Sequence, residues 1–141
     1  MFIPILSVII PTMSGKIDTS KLNNPPEEHE INVARFFADL GYNITFLCPS
    51  NIKGNFVPDI VMNGVEWEIK CPIGKGKHTI ERNINKAVLQ SPNIIVDLRR
   101  ISLPEDQCIS QLKREFSTRK NIKRLYVITK NNELLKFDGK K

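Results

Sequence analysis

Asp59, Glu68 and Lys70 are residues whose types and spacing suggest chemistry. They lie within PDIVMNGVEWEIK, Pro58 to Lys70, where two hydrophobic runs meet at Asn63-Gly64. Asn-Gly between such runs is a strong hairpin signal, and a two-residue turn there sets the register. Met62 then pairs with Val65, Val61 with Glu66, Ile60 with Trp67 and Asp59 with Glu68. Side chains alternate across a strand, so Lys70 shares a face with Glu68. Ile60, Met62, Val65, Trp67 and Ile69 take the opposite, apolar face.

Facing strand residues hold their Cβ atoms about 4.5–5.5 Å apart. Two carboxylates at that distance repel, and Lys70 relieves part of the repulsion. A divalent cation taking oxygens from both relieves more, and hard cations such as magnesium prefer these ligands. The plain alternative is a surface cluster in which Lys70 pairs with its neighbours. Glu66 suits that alternative better, because it lies closer to the turn and faces Val61.

A third acid comes from PPEEHEINVARFFADLG, a segment punctuated as a helix. Proline and acids fill its first turn and Gly41 closes its end. At about 100° per residue, Ile31, Val33, Ala34, Phe37, Ala38 and Leu40 define an apolar face, with Glu30 near its middle. Glu28, Asn32, Arg35 and Asp39 fall on the polar side. A carboxylate in a core-facing stripe needs a partner. The competing reason for Glu30 is the helix N-terminus, which favours acids.

The elements that must carry these residues follow the same local rules. YNITFL reads as a strand, VPDIVM and VEWEIK as the hairpin, and CPIGKGK as a flexible basic loop. TIERNINKAVLQ reads as a helix with Ile80, Ile84, Ala87 and Val88 on its apolar side. NIIVDLRR is a buried strand ending on charge, and EDQCISQLKREFSTR is an amphipathic helix carried by Ile109, Leu112 and Phe116. RLYVITK and ELLKF close as strands about Asn131-Asn132. The expected fold is α/β, a mixed sheet with helices packed against it. Its core order is α-β-β-β-α-β, followed by a further helix and C-terminal strands. Residues 1–25 form an N-terminal arm or strand and a loop, the loop running from Thr12 to Pro26; residues 26–141 form one domain.

The 141 residues are 40% hydrophobic and 26% charged, ordinary values for a globular chain able to bury a core. A net charge of +6 favours an acidic partner such as nucleic acid, although a solvated basic surface explains it too. Cys48, Cys71 and Cys108 stand far apart, which suits reduced thiols and not a disulfide frame. There is no CxxC or HxxxH, so no structural zinc is expected. The opening MFIPILSVIIP lacks a basic leader and cleavage site and is too short to span a bilayer. No membrane partner is expected, and the expected site of action is the cytoplasm.

Thr79, Asn83, Lys86 and Gln90 share a helical stripe at spacings of four, three and four. Beside the hairpin's charged side it could bind phosphates and steady Lys70; a solvated face explains the same spacing. Lys75, Lys77 and His78 lie in the glycine-bearing loop after Lys70, placed to grip a backbone or simply exposed. Asp97, which interrupts NIIVDL, is kept outside the catalytic set, and Trp67 and Tyr126 read as core.

Pro58-Asp59, eight residues, then Glu68-Ile69-Lys70 resembles the PD-(D/E)XK, or restriction-endonuclease-like, nuclease superfamily, as do the acid-bearing helix before it and the helix after it. From about Glu28 to Arg100, and above all in NGVEWEIKCPIGKGKHTIERNINKAVLQSPNIIVDLRR, the chain looks like the C-terminal toxin domain of contact-dependent inhibition (CdiA-type) proteins. Lys70-Cys71-Pro72 departs from that family's usual lysine-serine-proline. The resemblance implies a metal-dependent tRNA nuclease using Mg2+ or Mn2+, with Asp59, Glu68 and Glu30 as ligands. Lys70 would orient or help deprotonate the attacking water or ribose hydroxyl and stabilise charge on phosphate. Gln90 would join the catalytic set, because its helix resembles the superfamily's glutamine-bearing one. A cognate immunity protein is a further implied partner. Two other functions fit the same residues: a DNase of a mobile element or repair system, and a silent nucleic-acid-binding module.

Overall fold

The computed structural model describes residues 14–50 and 52–140. The apolar opening read as an arm or strand lies outside them. Among the described residues, seven strands form one sheet in chain order. They are β1 (Ile17–Asp18), β2 (Ile44–Phe46), β3 (Ile60–Met62), β4 (Val65–Lys70), β5 (Asn93–Asp97), β6 (Arg124–Ile128) and β7 (Leu134–Phe137). Helices α1 (Glu28–Asp39), α2 (Thr79–Ala87) and α3 (Glu105–Thr118) complete the mixed α/β fold. The pairs β1–β2, β4–β5 and β5–β6 are parallel, and the others are antiparallel.

The turn residues do what their chemistry dictates. Asn63 and Gly64 both take positive φ, 48° and 82°, as a type I′ turn demands. The ladder runs Met62–Val65, Val61–Glu66 and Ile60–Trp67, in the expected register. Gly41, at φ 97°, lets the chain leave α1 while its N–H donates to the Ala38 carbonyl at 2.9 Å.

The sheet separates two cores. On one side α1 buries Val33, Ala34, Phe37 and Ala38 against Ile60, Met62, Trp67 and Ile69. On the other, α2 and α3 bury Ile80, Ile84, Cys108 and Leu112 against Ile94, Val96, Leu125 and Val127. Trp67 and Tyr126 are core residues, their rings 4.4 Å apart.

Several local expectations change. The segment read as a loop from Thr12 to Pro26 contains β1, too short to carry a periodic signal. The Lys16 carbonyl accepts from Ile44 N–H at 2.8 Å, and Lys16 N–H donates to Asn43 Oδ1 at 2.9 Å. Gly15 permits this approach, since a Cβ there would lie 1.6 Å from the Tyr42 carbonyl oxygen. Leu40 is exposed because α1 ends at Asp39 and turns it outward. Helix α2 stops at Ala87, short of Gln90, ahead of Pro92, which disfavours helical geometry in the residue before it.

Candidate functional site

Asp59 stands one residue before β3, where the regular ladder ends. Its N–H donates to the Trp67 carbonyl at 3.0 Å, and its Oδ2 accepts from Ile69 N–H at 2.7 Å. The side chain therefore replaces a backbone acceptor, and Asp59 is fixed beside β4 instead of continuing the ladder opposite Glu68. The two carboxyl groups remain neighbours, and the negative charge of Asp59 bears on Glu68. Lys70 Nζ lies 3.4 Å from Glu68 Oε2.

The surroundings differ from those of an exposed hairpin face. Strand β5 pairs with the far edge of β4, Glu68 beside Ile94 and Lys70 beside Val96. Glu68 is consequently only 6% exposed. Burial, and then the negative charge of Asp59, push its carboxyl from 4.5 to about 8. Burial also raises Asp59, against the pull of Ile69 N–H. Neighbouring carboxylates repel, and a proton on one of them offsets the repulsion.

Glu30 sits in the first turn of α1, half-buried, and its carboxylate accepts from Glu27 N–H at 3.4 Å within a capping box. Both readings of this residue have substance: it caps the helix, and burial followed by the charge of Asp59 raises its pKa. Glu30 and Asp59 line a common cleft of about 410 Å³ with Phe46 and Cys48. Among the described residues, no three acid, histidine or cysteine side chains converge into a ready-made cation cage. The donor set still fits a hard divalent cation, because buried Glu68 and half-buried Asp59 repel one another, and such an ion would relieve that repulsion. Magnesium commonly takes one or two carboxylates and fills its shell with water and phosphate.

The other predicted positions are more dispersed. Thr79 and Lys86 line a small cleft of about 250 Å³ with Asn83. Thr79 is buried, and its carbonyl accepts from Asn83 Nδ2 at 2.8 Å. Gln90 lies in the turn beyond α2, its N–H donating to the Ala87 carbonyl at 2.9 Å, and does not line that cleft. Lys75, Lys77 and His78 are exposed. His78 Nδ1 stands 3.5 Å from Glu81. Their loop is pinned at Gly74, whose carbonyl accepts from Ser102 N–H at 2.8 Å. Cys71, following Lys70, is no nucleophile: burial and then the charge of Asp97 push its thiol up to about 12.

His29 was not singled out from sequence, yet its Nδ1 lies 3.7 Å from the Glu27 carboxylate, at the same helix start as Glu30. Its adjacency to Glu30 was the available signal, uninformative until α1 is docked. Asp97, at the end of β5, holds Arg99 in a two-pronged pair, Nε to Oδ1 and Nη2 to Oδ2, each at 2.9 Å.

A family model described as the contact-dependent growth inhibition CdiA C-terminal domain matches residues 57–134, which span the hairpin, α2, α3 and most of the sheet. A solved structure described as a CdiA-CT/CdiI toxin and immunity complex from Burkholderia pseudomallei is similar in fold, with a TM-score of 0.63 at 20% identity. The match covers 89% of this chain and 100% of that one. No curated protein matches the chain.

Proposed function

Since this chain belongs to the contact-dependent growth inhibition CdiA C-terminal domain family, we propose that it is a toxin-like, divalent-metal-dependent endonuclease of the PD-(D/E)XK superfamily, cutting tRNA. The observation that carries the reading is the pairing of half-buried Asp59 with buried Glu68, whose Oε2 lies 3.4 Å from Lys70 Nζ. Acids placed together in this way are costly and mark functional sites.

Asp59 and Glu68 would hold Mg2+ or Mn2+, and Glu30 would complete the set from across the cleft. When bound, the cation supplies Lewis acidity toward phosphoryl oxygens and a nucleophile active near neutral pH. Ile69 N–H keeps the Asp59 carboxylate aimed, at 2.7 Å. Lys70 is the cation the chain itself brings to the reacting phosphate; it orients the attacking group and stabilises charge as it develops. Basic residues outside the site, in a chain of net charge +6, would supply salt-sensitive attraction to the nucleic-acid backbone. A cognate immunity protein is proposed as a partner, by analogy with the toxin and immunity complex.

The test incubates purified protein with total tRNA and with duplex DNA, each with Mn2+ or Mg2+ and with EDTA. Cleavage of tRNA that EDTA abolishes is expected. A 2′,3′-cyclic end on the product would identify the ribose hydroxyl as the attacking group. Cutting of DNA alone would replace the tRNA reading by the DNase one, and cutting of neither would leave a binding module.

A further inference from the structure

The cleft of about 570 Å³ between α1, the end of β5 and the β6–β7 turn has no part in the chemistry above. It falls within the ~300–1,000 Å³ of small-ligand sites. It also lies at the carboxyl ends of parallel strands, where open α/β sheets bind ligands. Its lining combines an aromatic ring, Phe36, with Arg35, Arg99 and Arg100 and the amides of Asn32 and Asn132.

Arg99 is rigidly held. Asp97, 2% exposed, grips it with both oxygens, and its Nη groups donate to the Asn32 carbonyl and to Asn132 Oδ1, each at 3.3 Å. So fixed, the guanidinium lies over the Phe36 ring, 5.5 Å from its centre. A planar cation stacked on an aromatic is a surface on which a nucleobase can stack in turn. Arg99 is largely consumed by its partners, but Arg100 and Arg35, whose Nη1 donates to Asn32 Oδ1 at 3.3 Å, stand exposed on the rim within reach of a phosphate.

The cleft neighbours the one that holds Asp59: His29 lines the first, and Glu27 and Glu30 of the same helix start line the second with Asp59. Lys70 pairs with Val96, so Cys71 and Asp97 follow side by side at the strand ends.

We propose that this cleft seats one nucleotide of the substrate strand, beside the nucleotide whose phosphate is cut. The Phe36–Arg99 stack takes the base, and Arg35 and Arg100 take the phosphate. The proposal rests on the nuclease reading, and its test separates the two. AMP, adenosine and inorganic phosphate are titrated separately into the protein while NMR follows the Arg99 Nε–H and Asn132 side-chain amide signals. AMP should move both, more than either fragment, and should do so equally in Asp59→Asn. Phe36→Leu should weaken AMP binding and raise the KM for tRNA by about fivefold or more, with kcat nearly unchanged. Arg100→Gln, at an exposed position that does not endanger folding, should lower the salt slope of RNA binding by about one. Signals unmoved by AMP in a protein that cleaves RNA would overturn the subsite and leave the nuclease standing. AMP seated in a protein that cleaves nothing would keep the subsite and remove the nuclease.

Discussion

At the scale of single residues, burial and the charge of Asp59 raise the proton affinity of Glu68, and Lys70 stands beside it. Lys70→Ala and Asp59→Asn should each fold and bind RNA while cutting at least about a hundredfold more slowly. Single-turnover cleavage beside an RNA-binding assay checks this, and unchanged cutting by both variants would remove the catalytic assignment. Glu68 allows a test without substrate. Its carboxyl holds a proton more tightly in the folded chain, since its pKa is lifted from 4.5 to about 8. The stability it contributes is therefore complete below pH 4.5 and is lost as pH rises through about 8. In EDTA, Glu68→Gln should flatten the decline of wild-type stability over that interval. Urea melts across the range measure it, and parallel declines would contradict the raised proton affinity of Glu68. These three residues were legible from turn chemistry and register. Their burial was not, because it depends on β5, which begins more than twenty residues after β4 ends.

At the scale of elements, the hairpin is the device that joins the acids, and its turn is conformationally demanding. Gly64 sits at φ 82° with open space where a Cβ would project, so substitution there acts through backbone strain alone. Gly64→Ala should cost about 1 kcal/mol and leave the cleavage rate of the folded fraction intact, because the turn lies far along the strands from Asp59. Equilibrium melts and activity per folded molecule check both parts; a collapse of activity without loss of stability would mean that the turn itself takes part. Helix α1 teaches a different lesson. Its face was readable from spacing, and Glu30 stood out on it, with the ligand role favoured over the helix N-terminus. The structure shows a capping contact as well as a cleft shared with Asp59, so the N-terminal role is real whatever the cleft binds. The end of α2 was misread because a polar stripe continues through Gln90 while the backbone does not.

At the scale of the molecule, a cation held by Asp59 and Glu68 would couple its own binding to stability. A cation that binds only the folded state adds about 2.7 kcal/mol at a hundred times its Kd. Mn2+ should therefore raise the melting temperature, with EDTA reversing the rise, and the gain should be larger above pH 8 than below pH 6. The sign follows because the ion must displace the proton that Glu68 holds at low pH. Calorimetric scans with and without Mn2+ measure it; an equal gain in Asp59→Asn would place the ion elsewhere.

The order of residues alone settles what short-range forces decide. Asn-Gly imposes the bend, alternation assigns the two sides of each strand, and a 3.6-residue period assigns the apolar side of α1 and α2. Those forces act within a few residues of one another, so they are present in any stretch read in isolation. The parallel placement of β5 beside β4, the burial of Glu68, the approach of His29 and the Asp97–Arg99 strut arise only when distant segments close on one another. Their energies depend on which surfaces exclude water together, and no local pattern contains that information.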